Sequence, residues 1–255
     1  PRYPVPITET LSFICPILVR CNATVRDMNP ISSELLGISV VLPILNEERY
    51  LEDTVAAILT QDYAGEFEVI LALGPSKDQT DEIATRIAES DSRVVLVSNP
   101  TGRTAAGLNA AIAAAKFPVI SRIDGHAEVS KNYLASAAKL LANTGAVNVG
   151  GVMNAVGKNR FERAVAAAMR SPLGVGASRF HTGGSAGPAD TVYLGTFNKS
   201  ALLEAGGFDE RFTRAQDWEL NFRLRKNGGI VWFDPSLIVT YRPRSSLRAL
   251  AKQYF

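Results

Sequence analysis

The sequence predicts an α/β protein with a mostly parallel central sheet, and two observations carry that prediction. Between Ile38 and Ile123, short apolar, β-branched runs alternate with helical stretches, which is the pattern of repeated βαβ units. Each run is apolar almost throughout, as a strand covered by helices on both faces must be. The chain has 255 residues, 46% hydrophobic and 20% charged, long enough to bury a core without disulfides or a structural metal. The same composition excludes collagen-like, low-complexity and wholly disordered classes.

The elements follow in order. Residues 1–37 lack periodicity and are proline-rich at the start; they read as an N-terminal arm. Ile38–Pro43 reads as a buried strand. Asn46 is placed to cap the next helix, with Glu47 and Glu48 in its first turn and Leu51, Val55, Ile58 and Leu59 at helical spacing. Phe67–Leu73 is a second strand. Ser76 with Gln79 resembles a capping box opening a helix through Ile83 and Ile87. Arg93–Ser98 is a third strand, Ala105–Lys116 a helix, and Val119–Ile123 a fourth strand.

The second half is less regular. A helix is expected near Asn132–Ala142, a strand near Ala146–Val152, and a glycine-rich loop over His181–Gly187. Thr191–Leu194 reads as a strand and Asp217–Lys226 as a helix with Leu220, Phe222 and Leu224 inward. Two further strands, Ile230–Phe233 and Leu237–Tyr241, complete the chain. Phe161, Val165, Ala168 and Met169 form a helical stripe suited to core or oligomer packing. Nothing in the composition forces a second domain: 38–255 reads as one domain, with 38–127 and 128–255 as its two halves.

A formal net charge of +2 argues against nucleic acid as a partner. From Arg223 onward, however, seven basic residues face one acid, Asp234, and such a segment suits either solvent or an anionic membrane surface. Cys15 and Cys21 fit no zinc spacing, and so few cysteines point to a reducing compartment. The opening residues do not read as a secretory leader, and no apolar run approaches the roughly 18–20 residues of a membrane helix.

Parallel α/β sheets bind ligands at the carboxyl ends of their strands, so the residues after the first four strands are the candidates for chemistry. Strand four ends in Ile123-Asp124-Gly125-His126. There an acid and an imidazole two positions apart can face one first-row divalent ion, or simply close a turn. Asp217 stands at a helix start beside Trp218, either as a general base or as an acid placed for the helix dipole.

Taken together, the motifs resemble the family 2 glycosyltransferases of the GT-A fold, most closely the exopolysaccharide (succinoglycan-type) branch. The matching pieces are Val40-Val41-Leu42-Pro43 with Asn46-Glu47-Glu48, Gly74-Pro75-Ser76-Lys77-Asp78-Gln79-Thr80, and Asn99-Pro100-Thr101-Gly102 with Gly107-Leu108-Asn109. Then come Arg122-Ile123-Asp124-Gly125-His126, Tyr193-Leu194-Gly195-Thr196, Gly206-Gly207-Phe208-Asp209-Glu210 and Gln216-Asp217-Trp218-Glu219-Leu220. Each is weak alone; their order along the chain is the specific signal.

The resemblance implies an inverting sugar transfer from a nucleotide-diphosphate donor, a UDP-sugar above others, to an acceptor hydroxyl in polysaccharide or glycolipid synthesis. By position, Pro43, Asn46, Glu47, Asp78, Arg103 and Asp124 would meet the donor, and Asp124 with His126 would hold Mn2+ or Mg2+. Asp217 would be the catalytic base. His181, Gly183, Gly184 and Trp218 would meet the acceptor, a saccharide or a lipid-linked saccharide. The expected location is the cytoplasmic face of the cell membrane, with self-association open.

The chain departs from the family pattern at three places. Leu73-Gly74 stands where the family has two acids, His126 where it has a second aspartate, and Gln216 where it has a glutamate. A Q-x-x-R-W motif is not seen, although Gln253-Tyr254-Phe255 could begin one. These departures keep open a non-enzymatic relative that serves as a binding partner. A sugar nucleotidyltransferase is the remaining alternative. It would need a glycine-rich basic loop after strand one, where this chain has Ile44-Leu45-Asn46-Glu47.

Overall fold

The computed structural model describes residues 36–171 and 178–242. Most of the arm at 1–37, both cysteines and Gln253-Tyr254-Phe255 lie outside the described residues. The first half runs β1 (Ile38–Ile44), α1 (Leu51–Leu59), β2 (Phe67–Leu73), α2 (Thr80–Ser90), β3 (Val94–Ser98), α3 (Thr104–Ala114) and β4 (Val119–Arg122). The second runs β5 (Glu128–Val129), α4 (Tyr133–Thr144), β6 (Asn148–Ala155), α5 (Arg160–Met169), α6 (Arg179–Thr182) and β7 (Gly187–Pro188). It ends with β8 (Tyr193–Asn198), α7 (Lys199–Glu204), α8 (Gln216–Lys226) and β9 (Val231–Tyr241).

All the described strands join one mixed sheet in the order β3-β2-β1-β4-β8-β6-β9-β5, with β7 beside β9. β3, β2, β1 and β4 are parallel, and β8 runs antiparallel between β4 and β6. β6 and β9 are again parallel to each other. Strand order reverses direction around β1: β2 lies on one side and β4 on the other. The crevice outside the carboxyl ends of β1 and β4 is therefore a topological switch point, where open α/β sheets bind ligands.

Alternation along β1 divides the core into two layers. Ile38, Val40, Leu42 and Ile44 pack with Leu51, Val55 and Ile58 of α1 and with Ile83 of α2 on one face. Val41, Ile70 and Ala72 pack with Leu108 and Ile112 of α3 and with Leu220 and Leu224 of α8 on the other. Each fully buried Leu or Ile contributes about 1.5–3 kcal/mol, so α8 is seated by the same apolar burial that holds the sheet.

Several sequence expectations change. α1 begins at Leu51 after Tyr50, so Asn46 does not cap it. Asn46 instead takes a left-handed backbone, φ 55, and its Oδ1 accepts from the Lys77 amide at 2.8 Å. Ser76 and Gln79 form no capping box, because the Ser76 hydroxyl accepts from the Asn46 amide at 3.1 Å. The two strands expected over 230–241 are one strand, β9. A register shift against β6 between Gly150 and Val152 absorbs Pro235, which has no amide to donate. β8 extends to Asn198, beyond the expected Leu194, and the loop at His181–Gly187 contains the α6 turn and part of β7. Phe222 is 48% exposed rather than inward, since two residues turn a helix by about 200° from Leu220.

Candidate active site

Four strand ends and the start of α8 bring the chemistry together. The loop after β1 is stapled to the loop after β2: the Gly74 amide donates to the Ile44 carbonyl at 2.8 Å and the Glu47 amide donates to the Thr80 hydroxyl at 2.7 Å. These bonds aim Glu47 across the switch point at the end of β4. There the Glu47 Oε1 lies 2.8 Å from His126 Nδ1. Gly125 makes room for that pair, because a Cβ on it would stand 2.8 Å from Ile44 Cδ1 and 3.0 Å from Glu47 Cγ.

The centre of the site is Arg122, the last residue of β4, with a side chain only 8% exposed. Its Nη2 is 3.0 Å and its Nε 3.4 Å from Asp124 Oδ1. Its Nη1 donates to Asp217 Oδ1. The guanidinium also lies 5.9 Å from the centre of the Phe208 ring. That ring is fixed because Asn109 bonds both the amide and the carbonyl of Phe208, at 2.9 and 2.8 Å. Burial pulls the Arg122 pKa down, but the charges of Asp217 and Asp124 outweigh it and hold the guanidinium ionised.

Asp217 reaches this point from α8. Besides Leu220 and Leu224, that helix is anchored by Asn221, whose Oδ1 accepts from Asn148 Nδ2 at 2.6 Å and whose Nδ2 donates to Thr191 Oγ1 at 2.9 Å. Ala215, just before the helix, takes a left-handed backbone at φ 58. Such a conformation is uncommon for a non-glycine residue and clusters at functional sites. Burial raises the Asp217 pKa and the neighbouring Asp124 charge raises it further, against the lowering by Arg122.

One cleft of about 470 Å³ is lined by Pro43, Glu47, Asn99, Arg122, Asp124 and His126, and also by Arg214 and Gln216. Pro43, Glu47, Asp124 and His126 of the expected site thus share a single space, and Asp217 joins them through Arg122. Asn46 serves the loop staple. Asp78 does too: its Oδ1 accepts from the Thr80 amide at 3.1 Å and its Oδ2 from the Glu48 amide at 3.4 Å. Burial pushes its pKa up, but the bonds from the Thr80 hydroxyl and the Thr80 and Glu48 amides together outweigh that and lower it. Arg103 precedes α3, between the cleft residues Gly102 and Thr104.

The expected acceptor residues do not line that cleft. His181 packs on Phe180 at 4.2 Å between ring centres, and Phe180 stacks on Tyr193 at 6.5 Å. Burial lowers the His181 pKa. Gly183 and Gly184 follow it with positive φ. Trp218 is 53% exposed and stacks on Phe222, with centres 6.2 Å apart. Sequence reasoning assigned no role to Arg122 or Tyr193, although both lay inside quoted motifs. Burial raises the Tyr193 pKa, as does the charge of Asp124, so its phenol stays protonated beside the acids.

Among the described residues, no three His, Cys, Asp or Glu side chains form a metal cage. Asp124 and His126 offer a carboxylate and an imidazole on the cleft wall. That set fits a divalent ion whose remaining positions are filled by diphosphate oxygens and water, and it does not fit an ion held by protein alone. No described helix is long and apolar enough to cross a membrane. In the basic segment, Arg223, Arg225 and Arg242 are paired with Glu219, Asp190 and Glu128 at 2.5, 3.2 and 2.9 Å.

Residues 39–203 match the family model described as glycosyl transferase family 2. The chain is a family 2 glycosyltransferase. It is 34% identical over 228 residues to the succinoglycan biosynthesis protein ExoA of Rhizobium meliloti (strain 1021), covering 88% of this chain and 69% of that protein. The exopolysaccharide branch is therefore its place within the family. Among solved structures, the mannosyltransferase PcManGT of Pyrobaculum calidifontis, in complex with GDP-Man and Mn2+, superposes with a TM-score of 0.65 at 22% identity. That match covers 88% of this chain and 62% of that one. S. aureus TarS 1–349 in complex with UDP gives 0.64 at 19% identity, covering 81% and 60%. These likenesses establish the GT-A fold for this family 2 glycosyltransferase, which spans about 60% of either solved chain.

Proposed function

We propose that this family 2 glycosyltransferase moves a sugar, with inversion, from a nucleotide-diphosphate donor to an acceptor hydroxyl during polysaccharide or glycolipid synthesis. The observation that carries the reading is the pair of acids, Asp124 and Asp217, brought from opposite halves of the chain to one buried arginine at the switch point. A UDP-sugar is the favoured donor, since relatives of this fold are seen with UDP, UDP-GlcNAc and GDP-Man. Pro43, Glu47 and Asn99 line the space for the nucleotide, and Arg103 flanks it.

Asp124 and His126 would hold Mn2+ or Mg2+, and such an ion offsets the negative charge of the departing diphosphate. Glu47 keeps the His126 ring oriented by its bond to Nδ1. Asp217 takes the proton of the acceptor hydroxyl as that oxygen attacks the anomeric carbon. The bond to the diphosphate breaks on the opposite face, so a single displacement inverts the centre and needs no enzyme nucleophile. The raised pKa of Asp217 suits it to receive that proton. The exposed Trp218–Phe222 pair offers an apolar surface to a saccharide or lipid-linked saccharide acceptor. Lys226, together with Arg244, Arg248 and Lys252 further along the sequence, would meet an anionic membrane at its cytoplasmic face.

The test separates the two acids. Asp124→Asn should weaken donor binding and turnover together. Asp217→Asn keeps the side chain's size but cannot accept the proton, so it should leave UDP binding nearly intact and lower turnover by about 10²–10⁴-fold. Near-normal turnover in folded Asp217→Asn would assign the base elsewhere. Absence of any nucleotide release from UDP- and GDP-sugars by the wild type would favour the non-enzymatic binding partner.

A further inference from the structure

Arg122 holds each acid by one oxygen only. Asp124 and Asp217 both meet it through Oδ1, and among the described residues no group bonds the Oδ2 of either. The arginine itself is enclosed on several sides. Its backbone pairs with Val41 in the sheet, its side chain is 8% exposed, and the Phe208 ring beside it is fixed by Asn109.

A guanidinium is a rigid plane whose donors point in set directions, so two carboxylates bonded to different edges are held at a set separation. It also relieves the repulsion between two acids that would otherwise turn apart. We infer that Arg122 is a positioning residue for the transfer. It anchors Oδ1 of Asp124 and of Asp217 on one planar group, and so presents one free oxygen to the donor side and the other to the acceptor hydroxyl at a fixed spacing. The inference rests on the roles proposed above for the two acids. A lysine in its place could keep the buried positive charge but could not direct two carboxylates at once. A misplacement near 1 Å between reacting groups costs on the order of 10²-fold in rate.

The experiment is a double-mutant cycle with Arg122→Lys and Asp217→Asn, each variant first shown to be folded by its thermal transition. Turnover is read as nucleotide release from the UDP- or GDP-sugar that the wild type cleaves fastest, and binding as calorimetry of UDP with Mn2+. The expected result is that Arg122→Lys lowers kcat by about 10²-fold while UDP affinity changes less than about fivefold. In the Asp217→Asn background it should cost clearly less than in the wild type, about tenfold or below, because one of the two acids it spaces no longer takes the proton and only the placing of Asp124 is left to lose. Wild-type kcat in Arg122→Lys would overturn the inference, since a purely structural need for buried charge would be met by lysine. Losses that multiply in full would overturn it too, and leave the proposed base intact. Failure of the base assignment itself shows separately, as undiminished turnover in Asp217→Asn alone, and it removes the inference with it. If Arg122→Lys does not fold, Arg122→Gln, a neutral planar amide, carries the cycle, and the inference is then read from its coupling to Asp217→Asn alone: full multiplication of the two losses overturns it.

Discussion

Replacing Gly125 by alanine perturbs the site through a single methyl group. Its Cβ would stand 2.8 Å from Ile44 Cδ1, 3.0 Å from Glu47 Cγ and 3.4 Å from Glu47 Cδ. Ile44 is 1% exposed and enclosed by the core, so it has nowhere to go. Glu47 is the neighbour that must yield. A few tenths of an ångström at Cγ are enlarged at the carboxylate, and the 2.8 Å contact with His126 breaks. Overpacking of this kind costs about 1–3 kcal/mol, and the lost hydrogen bond adds about 1 kcal/mol. At roughly 2–4 °C per kcal/mol for a chain of this size, the melting temperature should fall by about 4–16 °C. UDP affinity measured by calorimetry with Mn2+ should fall with it, because Glu47 and His126 line the cleft proposed for the donor. Truncating Glu47 to alanine first should relieve only the share of the added cost that comes from the Glu47 contacts, since the 2.8 Å clash with Ile44 Cδ1 remains. A Gly125→Ala protein with unchanged melting temperature and unchanged UDP affinity would refute the packing argument.

Donor binding should be at least as tight with Mn2+ as with Mg2+, because imidazole suits the softer ion; equal UDP affinity in EDTA would remove the cation from the proposal. Asp217 has a folded pKa above that of the unfolded chain, so it binds protons more readily when folded, and the stability this contributes is lost as pH rises from the ordinary aspartate range through the raised value. Asp217→Asn should therefore gain stability relative to the wild type over that interval, read by thermal unfolding at a series of pH values; a constant difference would contradict the shift. Flotation with liposomes should show binding that rises with anionic lipid and falls with salt, and indifference to both would leave the basic segment to solvent.

The first half was legible because its strands are buried on both faces and so read as apolar runs with helices between. β2 ends where expected, at Leu73, and β1 and β4 lie within a residue of expectation. The second half resisted for physical reasons. β8 is inserted antiparallel, β9 carries a bulge around Pro235, and α7 is a six-residue helix, none of which leaves a periodic signal. Asn46 looked like a helix cap because asparagine serves both caps and left-handed turns. At the site, the motif residues were visible one by one, but the bond from Arg122 to Asp217 spans 95 positions. No spacing rule reaches that far; only the folded sheet brings β4 and the start of α8 together.

The direction of β8 has a consequence for how the molecule can diversify. Because β8 runs opposite to both β4 and β6, the strands β4, β6 and β9 all point the same way. The exits of β6 at Ala155 and of β9 at Tyr241, and the entry of β8 at Tyr193, therefore open on the same rim as Asp124; Tyr241 and His126 have ring centres 6.4 Å apart. The connections at this rim can thus be lengthened or exchanged around the cleft proposed for the donor, each doubling of a flexible loop adding only about 0.6 kcal/mol of closure entropy. Swapping those connections between relatives should redirect which hydroxyl is glycosylated while the nucleotide site is left untouched.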